Sequence, residues 1–318
     1  MNPELSIIVP CYNEAEGLEK AITRVHCLCR ELGLAHEIII VDDGSTDLSW
    51  AIICKIGERI AEVKGLRFSR NFGHEAASSA GMRKSLGEQV LILDADLQDP
   101  PELLPALRAK MAEGYDVVYG VRRSRAGESW LKLISAKLFY RVFNILTDNP
   151  IPEDTGDFRL MTRRVVDAFL ALPESGRFFR GMISWIGFPQ TGLLYDRQPR
   201  KTGQTNYNFQ KLVKLSVDAI AGFSVRPLRI AFWTSFIFFF SALALLLYIL
   251  IARLGQPAGS DNSGLIIVIL VTGGVQTLLI GIIGEYLGRL FLESKGRPLY
   301  IIRDEIKQAG APSPNRNA

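Results

Sequence analysis

The sequence contains little cysteine and histidine and no fibrous repeat. Its 318 residues include four cysteines and three histidines, and neither Gly nor Pro recurs with a period, which excludes a collagen-like fibre. The cluster His26, Cys27 and Cys29 has no second Cys or His pair at ligand spacing downstream, which favours helix packing over a zinc site. The opening segment lacks the basic start and cleavage site of a signal peptide, so we expect a reducing, cytosolic setting for this part of the chain.

Excess charge of one sign is also absent. The net charge is +4, with 48% hydrophobic and 22% charged residues, a balance that excludes an intrinsically disordered chain. The mean hydropathy of +0.15 is high for a soluble enzyme. Either the core is unusually large or part of the chain lies in lipid.

Two long uncharged runs near the C-terminus predict that part of the chain lies in lipid. Residues 230–252 form 23 residues without a charge, and residues 265–284 form another 20. As helices they would be about 35 Å and 30 Å long, enough to cross a bilayer. Buried core helices of this length normally have a polar face, and these runs have none. We therefore expect a two-helix transmembrane hairpin.

Basic residues flank this hairpin on both outer sides, while the connecting loop holds only Arg253 and Asp261. The positive-inside rule then puts both ends of the hairpin in the cytoplasm. We predict a multi-pass protein of the cell membrane with both termini cytoplasmic, in which residues 285–318 form a cytoplasmic tail.

The residues before the hairpin show the alternation of an α/β domain. Short apolar runs at 5–10, 37–47, 65–71 and 89–99 alternate with helical patterns and end in acidic or turn residues. This alternation predicts a mostly parallel, Rossmann-like sheet covered by helices. Ligands bind at the carboxyl ends of such strands. The polar residues expected there are Asn13, Asp42, Asp43, Asp94 and Asp96.

Several nucleotide-binding motifs are missing. No G-x-G-x-x-G follows the first strand and no Walker lysine loop occurs, which argues against dinucleotide oxidoreductases and P-loop enzymes. A nucleotidyltransferase would need a Gly-rich basic loop where this chain has PCYNEAEG at 10–17. A processive polysaccharide synthase would need more membrane spans and a Q-x-x-R-W motif, which is absent.

Asp94 and Asp96 stand two residues apart where a strand ends. Both carboxylates could approach one Mg²⁺ or Mn²⁺ ion there, which would in turn bind a diphosphate through oxygen ligands. A D-x-D pair alone is a weak motif, because many solvated surface loops match it by chance.

The context of this pair is specific. SIIVPCYNE, IIIVDDGSTD, NFGHEAA, LILDADLQDPPE, GVRRSR, DTGDFRLM, GRFFRGM and SWIGF follow in this order. Together they resemble the family 2 glycosyltransferases that load sugars onto polyprenyl phosphates, such as bactoprenol glucosyltransferases and dolichol-phosphate mannose synthases. The resemblance runs from about residue 5 to 227 and continues into the hairpin. It implies a GT-A fold over 1–205, a nucleotide-sugar donor, a divalent cation and inversion at the anomeric carbon.

The resemblance also implies site residues. It implies that Asp94 and Asp96 bind the metal and that Asp96 and Asp157 are catalytic. The residues implied for the nucleotide-sugar pocket are Pro10, Tyr12, Asn13, Glu14, Asp42, Asp43, Asp94 and Gln98.

Asp157 matches the position credited with acting on the acceptor. A phosphate monoester has a second pKa near about 6 and is already largely ionised at neutral pH, so it scarcely needs a general base. Whether Asp157 is a base or positions the acceptor phosphate is left open by the sequence.

Cations must offset the negative charge of donor and acceptor in one cleft. The candidates are Arg122, Arg159, Arg200 and Lys201, and the last two match the family's R-x-x-G-x-S-x-Y segment, with Thr205 where Ser is common. Basic, apolar stretches at 130–146 and 209–220 have helical spacing, which is typical of helices on an anionic membrane surface or of core packing. We predict a juxtamembrane amphipathic helix over 206–229.

The expected function is transfer of glucose from UDP-glucose to undecaprenyl or another polyprenyl phosphate, with no nucleic-acid partner. GDP-mannose and a modified arabinose remain alternative donors, and a non-enzymatic membrane scaffold is the alternative class. A scaffold would be marked by lost acids, whereas Asp42, Asp94, Asp96 and Asp157 are all present. A homo-oligomer is implied by the resemblance alone.

The net charge is distributed unevenly along the chain: it is −7 over 1–116, +9 over 117–229 and +2 over 230–318. The acidic part that contains the expected nucleotide site therefore precedes a basic part suited to a lipid phosphate.

Overall fold

The computed structural model describes residues 3–123, 141, 155–174, 176–196, 221–222, 224–253 and 263–306. Arg200, Lys201, the stretch at 130–146 except residue 141, and the stretch at 209–220 lie outside these residues. The chain divides into two units. One contains the sheet, including residues 297–306, and the other contains the helices of the C-terminal hairpin.

The sheet unit is built on eight strands in the order β7-β5-β6-β4-β1-β2-β3-β8. Four neighbouring pairs are parallel and three are antiparallel, with β6 and β8 supplying the antiparallel contacts. The predicted α/β class with a mostly parallel sheet is confirmed. The strands are β1 (Leu5–Cys11), β2 (His36–Asp42), β3 (Val63–Phe68), β4 (Gln89–Ile92), β5 (Val117–Arg122), β6 (Thr155–Thr162), β7 (Gln190–Tyr195) and β8 (Ile302–Glu305).

Helices cover the sheet because their apolar residues recur every three or four positions. In α1 the buried residues include Leu18, Ile22, Val25 and Cys29, all on one face. Burial raises the pKa of the Cys29 thiol to about 11, so this cysteine packs as a thiol and is a poor metal ligand. The helices are α1 (Ala15–Glu31), α2 (Ser49–Arg59), α3 (His74–Lys84), α4 (Leu104–Ala112), α5 (Arg163–Ala171) and α6 (Phe179–Ile186).

The central strands β1 and β2 are buried along their whole length. Alternate residues supply the two faces: Ile38 and Ile40 belong to one apolar cluster, whereas Ile39 and Val41 belong to another. A strand covered on both faces becomes a continuous apolar run, which is why the sequence pattern identified these strands. The core therefore fixes the strand ends, where the polar residues begin.

The segment after the hairpin differs from the predicted tail over 285–318. Strand β8 pairs antiparallel with β3 at the edge of the sheet. The Tyr300 ring stacks on Phe68 with ring centroids 5.0 Å apart. The Ile306 side chain occupies the space above Gly65, where a Cβ would lie 2.6 Å from its Cδ1 atom. Apolar contacts thus bind 299–306 to the sheet, so these residues belong to the α/β unit.

The hairpin unit contains α7 (Arg226–Arg253) and α8 (Ser263–Ser294). Both helices are long and apolar enough to cross a membrane. They extend past the predicted spans of 230–252 and 265–284, chiefly at the C-terminal end of α8. That extension is polar in part: Arg289 pairs with Glu285 one turn away at 2.8 Å, which stabilises a helix beyond its apolar run.

Candidate active site

The loops after β1 and β2 are tied together by hydrogen bonds. The backbone N–H of Asn13 donates to Ser45 Oγ at 2.9 Å, and Asn13 Oδ1 accepts from the N–H of Thr46 at 2.9 Å. Asn13 has a φ of +56°, a left-handed conformation that Asn tolerates better than most residues. Beside it, Tyr12 is 45% exposed, Glu14 is half-buried and Pro10 is buried in β1. Tyr12 and Asn13 therefore form the accessible part of this predicted pocket.

The two acids at the C-terminal end of β2, Asp42 and Asp43, are buried and accept hydrogen bonds from backbone N–H groups. Asp42 is fully buried; its Oδ1 accepts from the Ser45 N–H at 2.8 Å, and its Oδ2 lies 3.3 Å from Arg67 Nε. Asp43 accepts from the N–H groups of Phe72 and Gly73 at 2.6 and 2.9 Å. Asp43 thereby fixes the loop from which α3 begins.

Gly44, between these acids and the serine turn, cannot be replaced without strain. Its φ is +70°, and a Cβ would lie 2.4 Å from the carbonyl carbon of Arg70. Only glycine allows the turn after β2 to approach the backbone after β3 this closely.

The D-x-D segment follows β4. Leu97 has a φ of +48°, unusual for a leucine and typical of functional loops. The Gln98 N–H donates to Asp96 Oδ1 at 3.1 Å, and the Gln98 side chain is buried. Asp99, also buried, accepts a hydrogen bond from the Tyr195 hydroxyl. This loop is held in shape on both sides of Asp96.

Folding brings Asp94 and Asp157 to the same place, although 62 residues separate them in sequence. Antiparallel pairing sets Arg159 of β6 opposite Ile92 of β4, which aligns the two acidic segments. His74, the first residue of α3, lies between the carboxylates, with Nε2 3.7 Å from Asp94 Oδ1 and 3.6 Å from Asp157 Oδ2. Asp94, predicted to bind the metal, and Asp157, predicted to act on the acceptor, therefore lie in one site.

Arginines surround Asp157 on its other side. Arg180 Nε donates to Asp157 Oδ1 at 3.1 Å. The buried Arg159 donates through Nη2 to the Gly156 carbonyl at 3.0 Å, and its Nη2 lies 4.0 Å from Asp157 Oδ1. Arg122 lies beside Gly156, where a Cβ would meet its Nη2 at 3.0 Å. Within the described part of the chain, the buried Nε atoms of Arg122 and Arg159 have no hydrogen-bond partner.

The two acids have opposite electrostatic environments. Burial alone would raise the pKa of Asp157, but the charges of Arg180, His74 and Arg159 outweigh burial and hold that pKa well below its usual range. Burial is the largest influence on Asp94 and raises its pKa to about 6. His74, the next largest, acts in the opposite direction, and the charges of Asp157, Asp99 and Asp96 raise the pKa further. Neighbouring positive charges thus outweigh burial at Asp157 but not at Asp94.

This imbalance fits a divalent cation at Asp94 and Asp96. A cation would favour the ionised form of both carboxylates, whose oxygens are the donors that Mg²⁺ and Mn²⁺ prefer. No group of three or more His, Cys, Asp or Glu able to hold a metal occurs among the residues described. The pair would therefore need further ligands from elsewhere, and the phosphates of a bound nucleotide are the usual source.

Three residues of this site were not predicted: His74, Glu75 and Arg180. His74 and Glu75 lie in NFGHEAA and Arg180 lies in GRFFRGM, two segments that carry the family resemblance. One feature of the sequence could have indicated them: each lies at the start of a helix that follows an apolar strand or a pair of aromatic residues. Helix N-termini packed near strand ends commonly carry site residues.

Glu75 is the basis of a stability prediction. Its carboxylate accepts from the Phe179 N–H at 3.2 Å, and burial, followed by the charge of Asp157, raises its pKa to about 7. A folded-state pKa above the unfolded value stabilises the protein at low pH, and this stability is lost as pH rises towards 7. In Glu75→Gln the amide oxygen still accepts from Phe179 but does not titrate. We expect its melting temperature in detergent to fall less than that of the wild type between about pH 5 and pH 8.

Glu58→Gln is the matched control for this measurement, because Glu58 is exposed on α2. It should keep the wild-type pH dependence. Equal slopes for Glu75→Gln and the wild type would contradict the assignment.

Comparison with known families gives two matches along the chain. Residues 6–170 match glycosyl transferase family 2; this range runs from β1 to α5 and includes strands β1 to β6. Residues 226–290 match the GtrB C-terminal hairpin, which covers α7 and most of α8.

Individual proteins match over nearly the whole length. An uncharacterized glycosyltransferase of Synechocystis is 44% identical over 307 residues, covering 96% of both chains. A bactoprenol glucosyl transferase of Shigella phage SfV is 37% identical over 306 residues, covering 95% of this chain and 99% of that protein. Among solved structures, a mannosyltransferase from Pyrobaculum calidifontis in complex with GDP-Man and Mn²⁺ aligns with a TM-score of 0.50. That alignment covers 92% of this chain and 85% of the other at 17% identity, so the likeness concerns the fold.

Proposed function

The chain belongs to glycosyl transferase family 2 and carries the GtrB C-terminal hairpin, and we propose that it transfers one hexosyl unit from a nucleotide diphosphate sugar to a polyprenyl phosphate. One observation carries the proposal. A single site holds Asp94, whose pKa is raised to about 6 chiefly by burial, close to Asp157, an acid surrounded by arginines. The first half suits a cation-bound diphosphate, and the second suits an anionic acceptor.

On the donor side, Asp94 and Asp96 would hold Mg²⁺ or Mn²⁺, which when bound offsets the charge of the diphosphate. Tyr12, Asn13 and Glu14 would line the nucleotide pocket with Pro10 behind them, and Gln98 would support the D-x-D loop. Asp42 and Asp43 are engaged with backbone and with Arg67, so we propose that they shape this pocket by fixing its loops.

On the acceptor side, Arg122, Arg159 and Arg180 would neutralise the lipid phosphate. The buried Nε atoms of Arg122 and Arg159 support this, because each guanidinium keeps one donor without a partner and arginine readily donates to phosphate oxygens. Arg200 and Lys201 would add to this set. Asp157 remains ionised through neutral pH, which makes it a weak proton acceptor. We propose that it orients Arg180 and Arg159 toward the acceptor phosphate.

The reaction then needs no proton transfer. An oxygen of the acceptor phosphate attacks C1 of the sugar, the bond from C1 to the diphosphate oxygen breaks, and the electron pair leaves with the nucleoside diphosphate. The configuration at C1 inverts because attack and departure occur on opposite faces. Binding both reactants in line supplies much of the acceleration.

The relative from Shigella phage SfV, named bactoprenol glucosyl transferase, supports glucose as the sugar and a bactoprenol lipid as the acceptor. We propose UDP-glucose as the donor, both helices of the hairpin as membrane spans, and the site on the cytoplasmic side. A homo-oligomer is part of the same proposal.

A donor panel tests this function. Purified full-length protein is incubated with undecaprenyl phosphate and radiolabelled UDP-glucose, GDP-mannose or a UDP-linked amino-arabinose, with Mg²⁺, Mn²⁺ or EDTA. We expect label in the lipid phase from UDP-glucose, and none with EDTA. Transfer from GDP-mannose alone would correct the sugar but keep the reaction. No lipid-soluble label from any donor would contradict the proposed function.

A further inference from the structure

Three arginines line a cavity in the sheet unit, away from the candidate active site. Arg83 lies at the C-terminal end of α3, Arg177 lies between α5 and α6, and Arg297 lies in the segment leading to β8. The cavity has a volume of about 320 Å³. Arg83 follows His74 by nine residues in α3, about 14 Å along the helix axis, so this cavity is separate from the candidate active site.

Arg177 is fixed in place by the surrounding backbone. Its Nη2 donates to the Leu172 carbonyl at 3.1 Å and its Nε donates to the Glu174 carbonyl at 3.3 Å, while Nη1 lies 3.4 Å from Ser79 Oγ. Its guanidinium also lies over the Phe169 ring, 5.0 Å from the centroid. Four contacts thus hold one positive charge at the wall of the cavity.

The other two arginines are not neutralised. Arg83 and Arg297 are exposed, and neither makes an ion pair within 4 Å with any described residue. Burial, followed by the charge of Arg83, lowers the pKa of Arg177, as expected where positive charges lie close together. Among the described residues that line the cavity, Glu174 is the one acid. Its charge raises the pKa of Arg177 less than burial and Arg83 lower it, and no ion pair within 4 Å joins its carboxylate to the three arginines. The lining therefore carries a net charge of about two positive units.

We propose that this cavity binds a phosphate group, and that its occupant is the headgroup of an anionic membrane phospholipid. Three guanidinium groups suit the oxygens of a phosphate, to which arginine donates in pairs. The sequence favours a membrane lipid as the source of this phosphate, because Arg297 is close in sequence to the proposed membrane helix α8. Only Lys295 and Gly296 separate it from Ser294, the last residue of that helix.

Lipid binding to the full-length protein tests this site without using its activity. Protein in neutral detergent is titrated with phosphatidylglycerol or phosphatidylcholine, and bound lipids are counted by native mass spectrometry. We expect the wild type to bind phosphatidylglycerol more tightly, and the double variant R83A/R297A to lose about tenfold in apparent affinity. Arg303→Ala is the matched control, because Arg303 is exposed in the same C-terminal segment but lies outside the cavity. It should bind as the wild type does.

Two further arms identify the source of the phosphate and the reason for any loss. Inorganic pyrophosphate replaces the lipid in a parallel titration, and R83K/R297K keeps both charges and should retain most of the binding. Pyrophosphate binding without lipid preference, lost in R83A/R297A, would support the phosphate site and assign it a soluble ligand. The proposal would be overturned if R83A/R297A bound phosphatidylglycerol as tightly as the wild type does, and likewise pyrophosphate, while the two proteins had equal melting temperatures.

Discussion

Asp96→Asn is expected to lower kcat/KM for sugar transfer by about a thousandfold or more. Asp96 Oδ1 accepts from the Gln98 N–H, a bond that the asparagine oxygen also makes, so the loop should keep its shape. What the variant loses is one negative charge beside Asp94. With fewer ionised oxygens the site would bind the divalent cation less tightly. The negative charge of the departing diphosphate would then be less well compensated.

The measurement is the initial rate of label transfer at increasing Mg²⁺ or Mn²⁺. We expect the variant to require more cation for half-maximal rate as well as to turn over slowly. Asp167→Asn is the matched control, because Asp167 is an acid with an exposed side chain on α5, and it should retain the wild-type rate. Full activity of Asp96→Asn would contradict the proposed metal site.

Asp157→Asn is expected to lower kcat/KM by about a hundredfold, by the same factor at every pH tested. The wild-type carboxylate is ionised throughout the neutral range because Arg180, His74 and Arg159 hold its pKa low. Asparagine keeps an oxygen that can accept from Arg180, but it removes the negative charge that lies 3.1 Å from Arg180 Nε and 4.0 Å from Arg159 Nη2. Both arginines then lose their orientation toward the acceptor phosphate.

A profile of kcat/KM from about pH 6 to pH 9 separates this role from that of a base. If Asp157 removed a proton, raising the pH would ionise the acceptor further and restore the rate of the variant. A parallel loss at all pH values supports positioning, and rescue at high pH would contradict it. A melting temperature for each variant distinguishes a misaligned site from an unfolded one.

The fold was predictable where a physical constraint acts on consecutive residues. Strands β1 and β2 are buried on both faces, so each is an apolar run, and each run ends in the polar residues that the loops need. The hairpin helices were predictable because a span must exclude charge over about 20 residues. Strand β8 was missed because it has four residues, of which only Ile302 is apolar, and its partner β3 lies more than 200 residues earlier. Nothing local in the sequence specifies that pairing.

The site was predictable in part for the same reason. Asp94, Asp96 and Asn13 follow strands directly, and parallel strands bring their carboxyl ends together. His74 and Arg180 come from two helices that reach Asp157 only through tertiary packing, so no spacing in the sequence indicates them. The sequence also could not show that Asp42 is enclosed, because its partners Ser45 and Arg67 are brought to it by the turn at Gly44 and by β3.

Product analysis tests the central claim most directly. Purified full-length protein is incubated with UDP-glucose, undecaprenyl phosphate and Mg²⁺ or Mn²⁺, and the nucleotide and lipid products are identified by mass spectrometry. We predict UDP together with a lipid that carries one hexose on a single phosphate, because the acceptor phosphate attacks C1 of the sugar. UMP together with a hexose on a lipid diphosphate would show attack at phosphorus, and would contradict the proposed reaction.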